Sequence, residues 1–340
     1  MTTSSLPEER LGQLRVAKLR ALVGDRLGGD VVSSGPFATG AALLDDTGMA
    51  SFLIEEAGPR SLGGALVWAV RQGATSVLLI VDAPAEVAGR LGREATYFDI
   101  GVSVERLVAT SSEPVPPAPF DELPVAVDVP PDVQALLGAA NVSVVTEHGV
   151  TRAEVHGLEV ARVVESEGGV PVLEVGVGRF DREISSMMFS GVPTADALDN
   201  AVEMVSRYRA PGATIHPLRD LVPERWLREL VVAEPALVGA SELSPVATTL
   251  AIDSLREAQP AAAVGTDLSG EPLVVVCTAG VDLDVVPLAA DTRAFVAPDA
   301  RLVICGPERN LLAPVRAVGE RLHRPVEFVA VELPHTRSRS

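Results

Sequence analysis

Lysine is almost missing from this chain. Lys18 is the only one, and the other basic residues are arginines. That skew reads as the coding bias of a GC-rich genome and carries no functional meaning. Aromatic residues make up only 4% of the sequence, so Val, Leu and Ala must fill the cores. Cysteine is limited to Cys277 and Cys305, each inside an apolar run (VVVCTA and LVICG). Their spacing excludes a disulfide framework and a cysteine-rich zinc site. Buried, reduced thiols in a reducing compartment are expected instead. No uncharged apolar run approaches the roughly 18 residues of a transmembrane helix. The opening MTTSSLPEER lacks the basic and apolar blocks of a signal peptide. The expectation is a cytoplasmic protein with no membrane association.

Several chemical signatures are also absent. There is no G-x-x-x-x-G-K-[ST] phosphate loop, no G-x-S-x-G elbow and no H-E-x-x-H pair. Gly176-Val177-Gly178 is followed by Arg179 without the third glycine of a dinucleotide fingerprint. A cysteine–histidine nucleophile is disfavoured with both thiols in strand interiors.

What is present is a long, acidic, apolar-rich chain. Its 340 residues suggest two or three domains. Hydrophobic residues account for 47%, enough for substantial cores. The 46 acidic and 28 basic residues give a net charge of −18. That balance disfavours general binding along a nucleic-acid backbone and favours cations or protein partners.

Local patterns give an α/β, multi-domain reading with mixed sheets flanked by helices. Residues 7–27 place Leu11, Leu14, Leu19, Leu22 and Val23 on one helical face. That face serves to pack on the first domain or to meet a partner. A hairpin turning at Asp45-Asp46-Thr47-Gly48 follows, then helix 60–72, strand 76–81, helix 84–97 and strand 101–108. The last segment has the same plan. Strand 261–266 turns at Asp267-Leu268-Ser269-Gly270 into strand 272–277, followed by helix 282–296, strand 300–305, helix 307–322 and strand 325–331. The order hairpin, helix, strand, helix, strand thus recurs. Between the copies, 110–131 holds seven prolines and reads as a linker or extended arm. The middle carries helix 131–139, strands 142–147, 157–164 and 171–177, and helical patterns at 181–190, 194–208 and 222–232. The expected boundaries are an N-terminal domain 1–109, the linker 110–131, a middle domain 132–245, a C-terminal domain 246–334 and a disordered tail 335–340.

Chemistry concentrates in the middle. Glu159 stands near the start of one expected strand and Glu174 in the middle of the next. Adjacent antiparallel strands can bring two such carboxylates to one edge and hold a hard divalent cation, with Glu154 as a further ligand. This stretch, about 130–190, resembles the restriction-endonuclease-like nucleases. Their signature is an acidic residue entering one strand, then carboxylate–x–lysine on the next. The resemblance places Glu159 at the acidic position and Glu174-Val175-Gly176 at the second motif, with glycine where the family has its lysine. In such enzymes the lysine is thought to orient water and offset charge on the phosphate. Arg179 or Arg182 could replace it only by folding back. His148 and His156 lie near these acids, and carboxylate plus imidazole suits a transition metal.

A second cluster, 207–228, interleaves Arg207, Arg209, Arg219, Arg225 and Arg228 with Tyr208, His216 and Trp226. Such a pattern can hold phosphates and stack on bases, or can serve as ion-pairing helix surface. Three functions follow as expectations. The first is a non-catalytic scaffold or interaction protein built from degenerate nuclease-like domains, with a protein partner and no cofactor. The second is a nuclease or phosphodiesterase using Glu159 and Glu174 with Mg or Mn. The third is an α/β enzyme for a small molecule.

Overall fold

The computed structural model describes residues 7–166, 168–177, 194–210, 212–251 and 259–334. Arg179, Arg182 and the helix expected at 181–190 lie outside these residues. The chain divides into two compact units. One comprises Met1–Phe120, Leu283–Asp291 and Leu312–Val326, and the other Asp121–Asp282, Thr292–Leu311 and Glu327–Ser340. The expected C-terminal domain is therefore shared between them. No helix among the described residues is long and apolar enough to cross a membrane.

In the first unit, helix α1 (Glu8–Val23) precedes a six-stranded sheet. Its strands are β1 (Val31–Phe37), β2 (Gly40–Asp45), β3 (Met49–Ile54), β4 (Ser76–Val81), β5 (Gly101–Val108) and β6 (Ser111–Pro114), in that spatial order. β1, β2 and β3 pair antiparallel, β3, β4 and β5 run parallel, and β6 returns antiparallel on β5. The parallel crossovers are helices α2 (Leu62–Arg71) and α3 (Ala85–Ala95). β3 and β4 are apolar on both faces because both faces are covered. Leu19 and Val23 of α1 pack with Leu43, Leu53 and Ile80. On the opposite face Phe52 meets Phe37 and Trp68 edge to face.

The proline-rich stretch does not start as a free spacer. Its first residues form β6, and the N–H groups of Val115 and Ala118 donate to Val104 and Gly89 carbonyls. Arg93 donates to the carbonyls of Ala118 and Pro119 and lies over the Phe120 ring. A side chain at Gly89 would collide with Ala118, so glycine lets the arm lie against α3.

The second unit opens with helix α4 (Pro131–Ala139) and an antiparallel meander. Its strands are β7 (Ser143–Glu147), β8 (Val150–Val155), β9 (Leu158–Glu165) and β10 (Pro171–Val175), each paired with the next. The sequence pattern bounds strands only at 142–147, 157–164 and 171–177, with His148 and His156 flanking a strand, and β8 is that strand. It is tied to its neighbours by two His-Gly turns in which both residues have positive φ, at His148-Gly149 and His156-Gly157. That is the geometry a two-residue hairpin demands. Helices α4 and α5 (Thr194–Tyr208) cover one face of the meander through Leu137, Leu198, Ala201 and Val205.

Helix α6 (Pro223–Ala233) then leads into a five-stranded sheet of β11 (Ala240–Val246), β12 (Ala261–Asp267), β13 (Pro272–Cys277), β14 (Arg301–Gly306) and β15 (Glu327–Ala330). Helices α7 (Val285–Val296) and α8 (Ala313–Gly319) are its crossovers. Trp226, Leu227 and Val231 of α6 join Leu273, Val275, Cys277 and Cys305 in one core. The two cysteines are free, buried and directly opposite on β13 and β14, with sulfurs 3.4 Å apart. β15, within the expected strand 325–331, is a half-exposed edge.

The recurring unit is present, and it is larger than hairpin, helix, strand, helix, strand. Each copy begins with a helix, a 3-10 turn and an additional antiparallel strand, β1 or β11. Both of those strands carry an irregularity at the same place, between Val31 and Ser33 and between Ala240 and Glu242. The pair Ala41–Leu53 of the first hairpin takes the position of Ala263–Val275 in the second.

Candidate functional site

The outer face of the meander carries the candidate carboxylates. Arg152 of β8 lies opposite Arg162 of β9, and Arg162 lies opposite Glu174 of β10. Two arginines side by side repel, and each is relieved by a carboxylate. Arg152 Nε donates to Glu159 Oε2 at 2.9 Å, and Arg162 Nε to Glu174 Oε2 at 3.3 Å. Glu159 and Glu174 thus share a face, but two guanidiniums stand in the row between them. Each of these two carboxylates faces a guanidinium.

Glu154 is the cross-strand partner of Glu159. With Glu147 it is buried against α6, where Arg228 bridges both acids: Nη1 to Glu147 Oε1 at 2.5 Å and Nη2 to Glu154 Oε2 at 2.8 Å. Arg225 adds a 3.3 Å bond to Glu154 Oε1. Burial pulls the Arg228 pKa down, but Glu154 and Glu147 outweigh it and the net direction is up. Burial pushes Glu154 up, against the pull of Arg228 and Arg225, and the net direction is also up. These directions conflict, since one strengthens the ion pair and the other weakens it. The geometry favours the ionised pair: a guanidinium does not give up its proton, and Glu154 accepts from two of them. Among the described residues no group of three or more His, Cys, Asp or Glu side chains could hold a metal ion.

The arginine island is taken apart by the same packing. Arg209 and Arg228 are the two largest fully buried side chains among the described residues. Arg209 donates to the carbonyls of His156 and Leu221 and lies 4.8 Å from the Trp226 ring centroid. Burial depresses its pKa to about 10, against the opposing pull of Glu229 and Glu154. Arg207 pairs with Glu203 on an exposed helix face, and Arg219 lies 3.7 Å from Asp220. The five arginines therefore form no continuous basic groove.

The histidines are turn residues. Both adopt positive φ, and His156 packs at a tilt beside Trp226, ring centroids 5.7 Å apart, with Nδ1 3.3 Å from Glu229. Gly157 beside it approaches the α6 backbone so closely that any side chain would strike Arg225 and Trp226. Gly176 has φ 145° and donates its N–H to Val160 O at 2.8 Å.

No family model, curated protein or solved structure matches the chain.

Sequence reasoning missed Glu147 and Arg152, which complete the charged cluster. A signal for both was available. The repeated His-Gly dipeptides at 148–149 and 156–157 mark two hairpins and hence a strand between them. That strand alternates Thr151, Arg152 and Ala153, placing Arg152 across from the acids.

Proposed function

We propose that this protein is a non-catalytic interaction protein, in which nuclease-like positions have been given over to structural ion pairs. The observation that carries this reading is the interleaving of Arg152 and Arg162 with Glu159 and Glu174. A cation entering there would have to displace guanidiniums that already neutralise both acids. The absence of a lysine at Gly176 supports the same reading, as does the burial of Arg209 and Arg228 in packing. With a net charge of −18, a protein partner is favoured over a nucleic acid.

The test is thermal unfolding with and without millimolar Mn²⁺, combined with nicking of supercoiled plasmid, on the wild type and on Glu174→Gln. The expected result is no metal-dependent shift and no cleavage in either protein. Occupancy at 100 times the dissociation constant would add about 2.7 kcal/mol. A shift or cleavage present in the wild type and lost in Glu174→Gln would overturn the reading in favour of a metal-dependent nuclease.

A further inference from the structure

Beside the β7–β8 hairpin the second unit encloses a cavity of about 300 Å³. Arg152 and Arg225 line it together with His148, Gln259, Val150 and Leu250. We propose that this cavity binds a small organic anion through a carboxylate or phosphate group seated on Arg152 and Arg225.

The argument begins with hydrogen-bond capacity. A guanidinium carries five N–H donors. Arg225 makes one hydrogen bond, to Glu154, and its contact with Glu147 is a long 3.8 Å. Arg152 makes two, to Glu159 and to the Glu147 carbonyl. Their remaining donors have no partner among the described residues. Neither guanidinium has an orphaned buried nitrogen, so those donors reach solvent, and both residues line the cavity. Both side chains are nonetheless largely buried, 12% and 15% exposed, which fixes their positions before any ligand arrives.

Electrostatics point the same way. The carboxylates that balance Arg225 sit deeper than it does, Glu154 at 1% exposed and Glu147 at 7%, while Glu159, the partner of Arg152, is 14% exposed. Glu147 also lines the cavity, but its Oε1 is held by Arg228 at 2.5 Å. The wall offers an incoming group the N–H donors of two forks that match the bidentate geometry of an oxyanion, beside the Glu147 carboxylate. Partial exclusion of water strengthens each such contact. Val150 and Leu250 supply an apolar side for the organic part of the ligand. The volume lies at the lower end of small-molecule sites, which suits a ligand of metabolite size. This inference is independent of the non-catalytic reading of Glu159 and Glu174.

The full chain would be titrated with inorganic phosphate and, separately, with succinate. Thermal unfolding and calorimetry would provide the readout, with ionic strength held constant by chloride. A saturable response to either probe is expected in the wild type, and the responding probe names the headgroup. Arg152→Gln should weaken it about tenfold or more, the order of one charge-assisted bond. Leu250→Trp, which fills the cavity from its apolar side, should abolish it. Arg152→Gln keeps the test sound if Arg225→Gln fails to fold, since its partner Glu159 remains partly exposed. No saturable response to either probe overturns the proposal. So does a response that survives in both variants, because the anion then binds elsewhere.

Discussion

The two copies of the α/β unit share their backbone plan down to small features, yet they spend their leading helices differently. Each hairpin turns on an aspartate followed two residues later by Thr or Ser and then Gly. Asp45 accepts from the N–H of Thr47 and Met49, and Asp267 from the N–H of Ser269 and Glu271. Gly48 and Gly270 both take positive φ to close the turn. Pro36 and Pro245 stand at matching positions on the edge strands β1 and β11, where a missing N–H blocks further pairing. In the first copy, α1 buries one face and keeps Arg15 and Lys18 in part-exposed pairs with Glu55. In the second copy, α6 buries Trp226, Leu227 and Val231 on its sheet and sends Arg225 and Arg228 into the meander's acids. One helix position thus serves as a simple cover in one copy and as a charged tie in the other.

Breaking the tie should have the largest effect. Arg228→Ala leaves Glu147 and Glu154 buried without their main partner and should cost about 3–5 kcal/mol. Chemical denaturation followed by circular dichroism would measure it. A loss below about 1 kcal/mol would mean that the cluster opens to water and that α6 covers its sheet no differently from α1.

The turn aspartates sharpen the comparison next. Burial pushes the Asp45 carboxyl up, but the Thr47 hydroxyl and the N–H groups of Met49, Gly28 and Thr47 bring it below its ordinary value. A carboxyl lowered in the folded state contributes stability above its unfolded pKa and loses it as pH falls through the folded value. Asp45→Ala should therefore destabilise by about 1–3 kcal/mol at neutral pH, with the difference shrinking below about pH 4. Asp267, lowered chiefly by its bond to Arg301, should show the same sign with a smaller loss. Equal losses at the two turns would show that burial adds nothing to the first.

A third difference concerns the second crossover helix. In the first copy, α3 buries Glu94 beside Arg90, while α8 of the second buries Val315 and Val318. Despite the 2.9 Å ion pair, burial dominates and pushes Glu94 up to about 8, with Asp291 and Asp284 adding to the rise. A carboxyl raised in the folded state favours folding at low pH, and that contribution is lost as pH climbs from 4.5 toward 8. Glu94→Gln should match the wild type near pH 5 and be more stable by about 1–3 kcal/mol near pH 9. A constant offset at both pH values would sink the assignment. The smallest effect is expected from Lys18→Ala, below about 1 kcal/mol and fading with salt, read from melting temperature.

Much of the fold was legible in the chain. Proline, glycine and aspartate punctuate the turns, and continuous Val-Leu-Ile runs mark strands covered on both faces, so strands 76–81 and 272–277 were placed to the residue. β1, β8 and β11 were harder because each is half-exposed or carries charge, which weakens the apolar signal. The candidate site was legible only as an inventory. Glu154, Glu159 and Glu174 were found as residues, but no local pattern indicates which arginine stands opposite which carboxylate.

Turn chemistry and hydrophobic period act over a few neighbouring residues, so the chain alone specified the recurring unit and the extent of most of its elements. Charge pairing acts across strands and between segments distant in sequence. Arg228 meets Glu147 and Glu154, and Arg162 separates Glu174 from Arg152, only once the register of the meander and the seat of α6 are set. Tertiary structure therefore decided whether those acids would gather around a cation or be neutralised by arginine, because a pairwise Coulomb term depends on distance and burial, and neither is written in spacing along the chain.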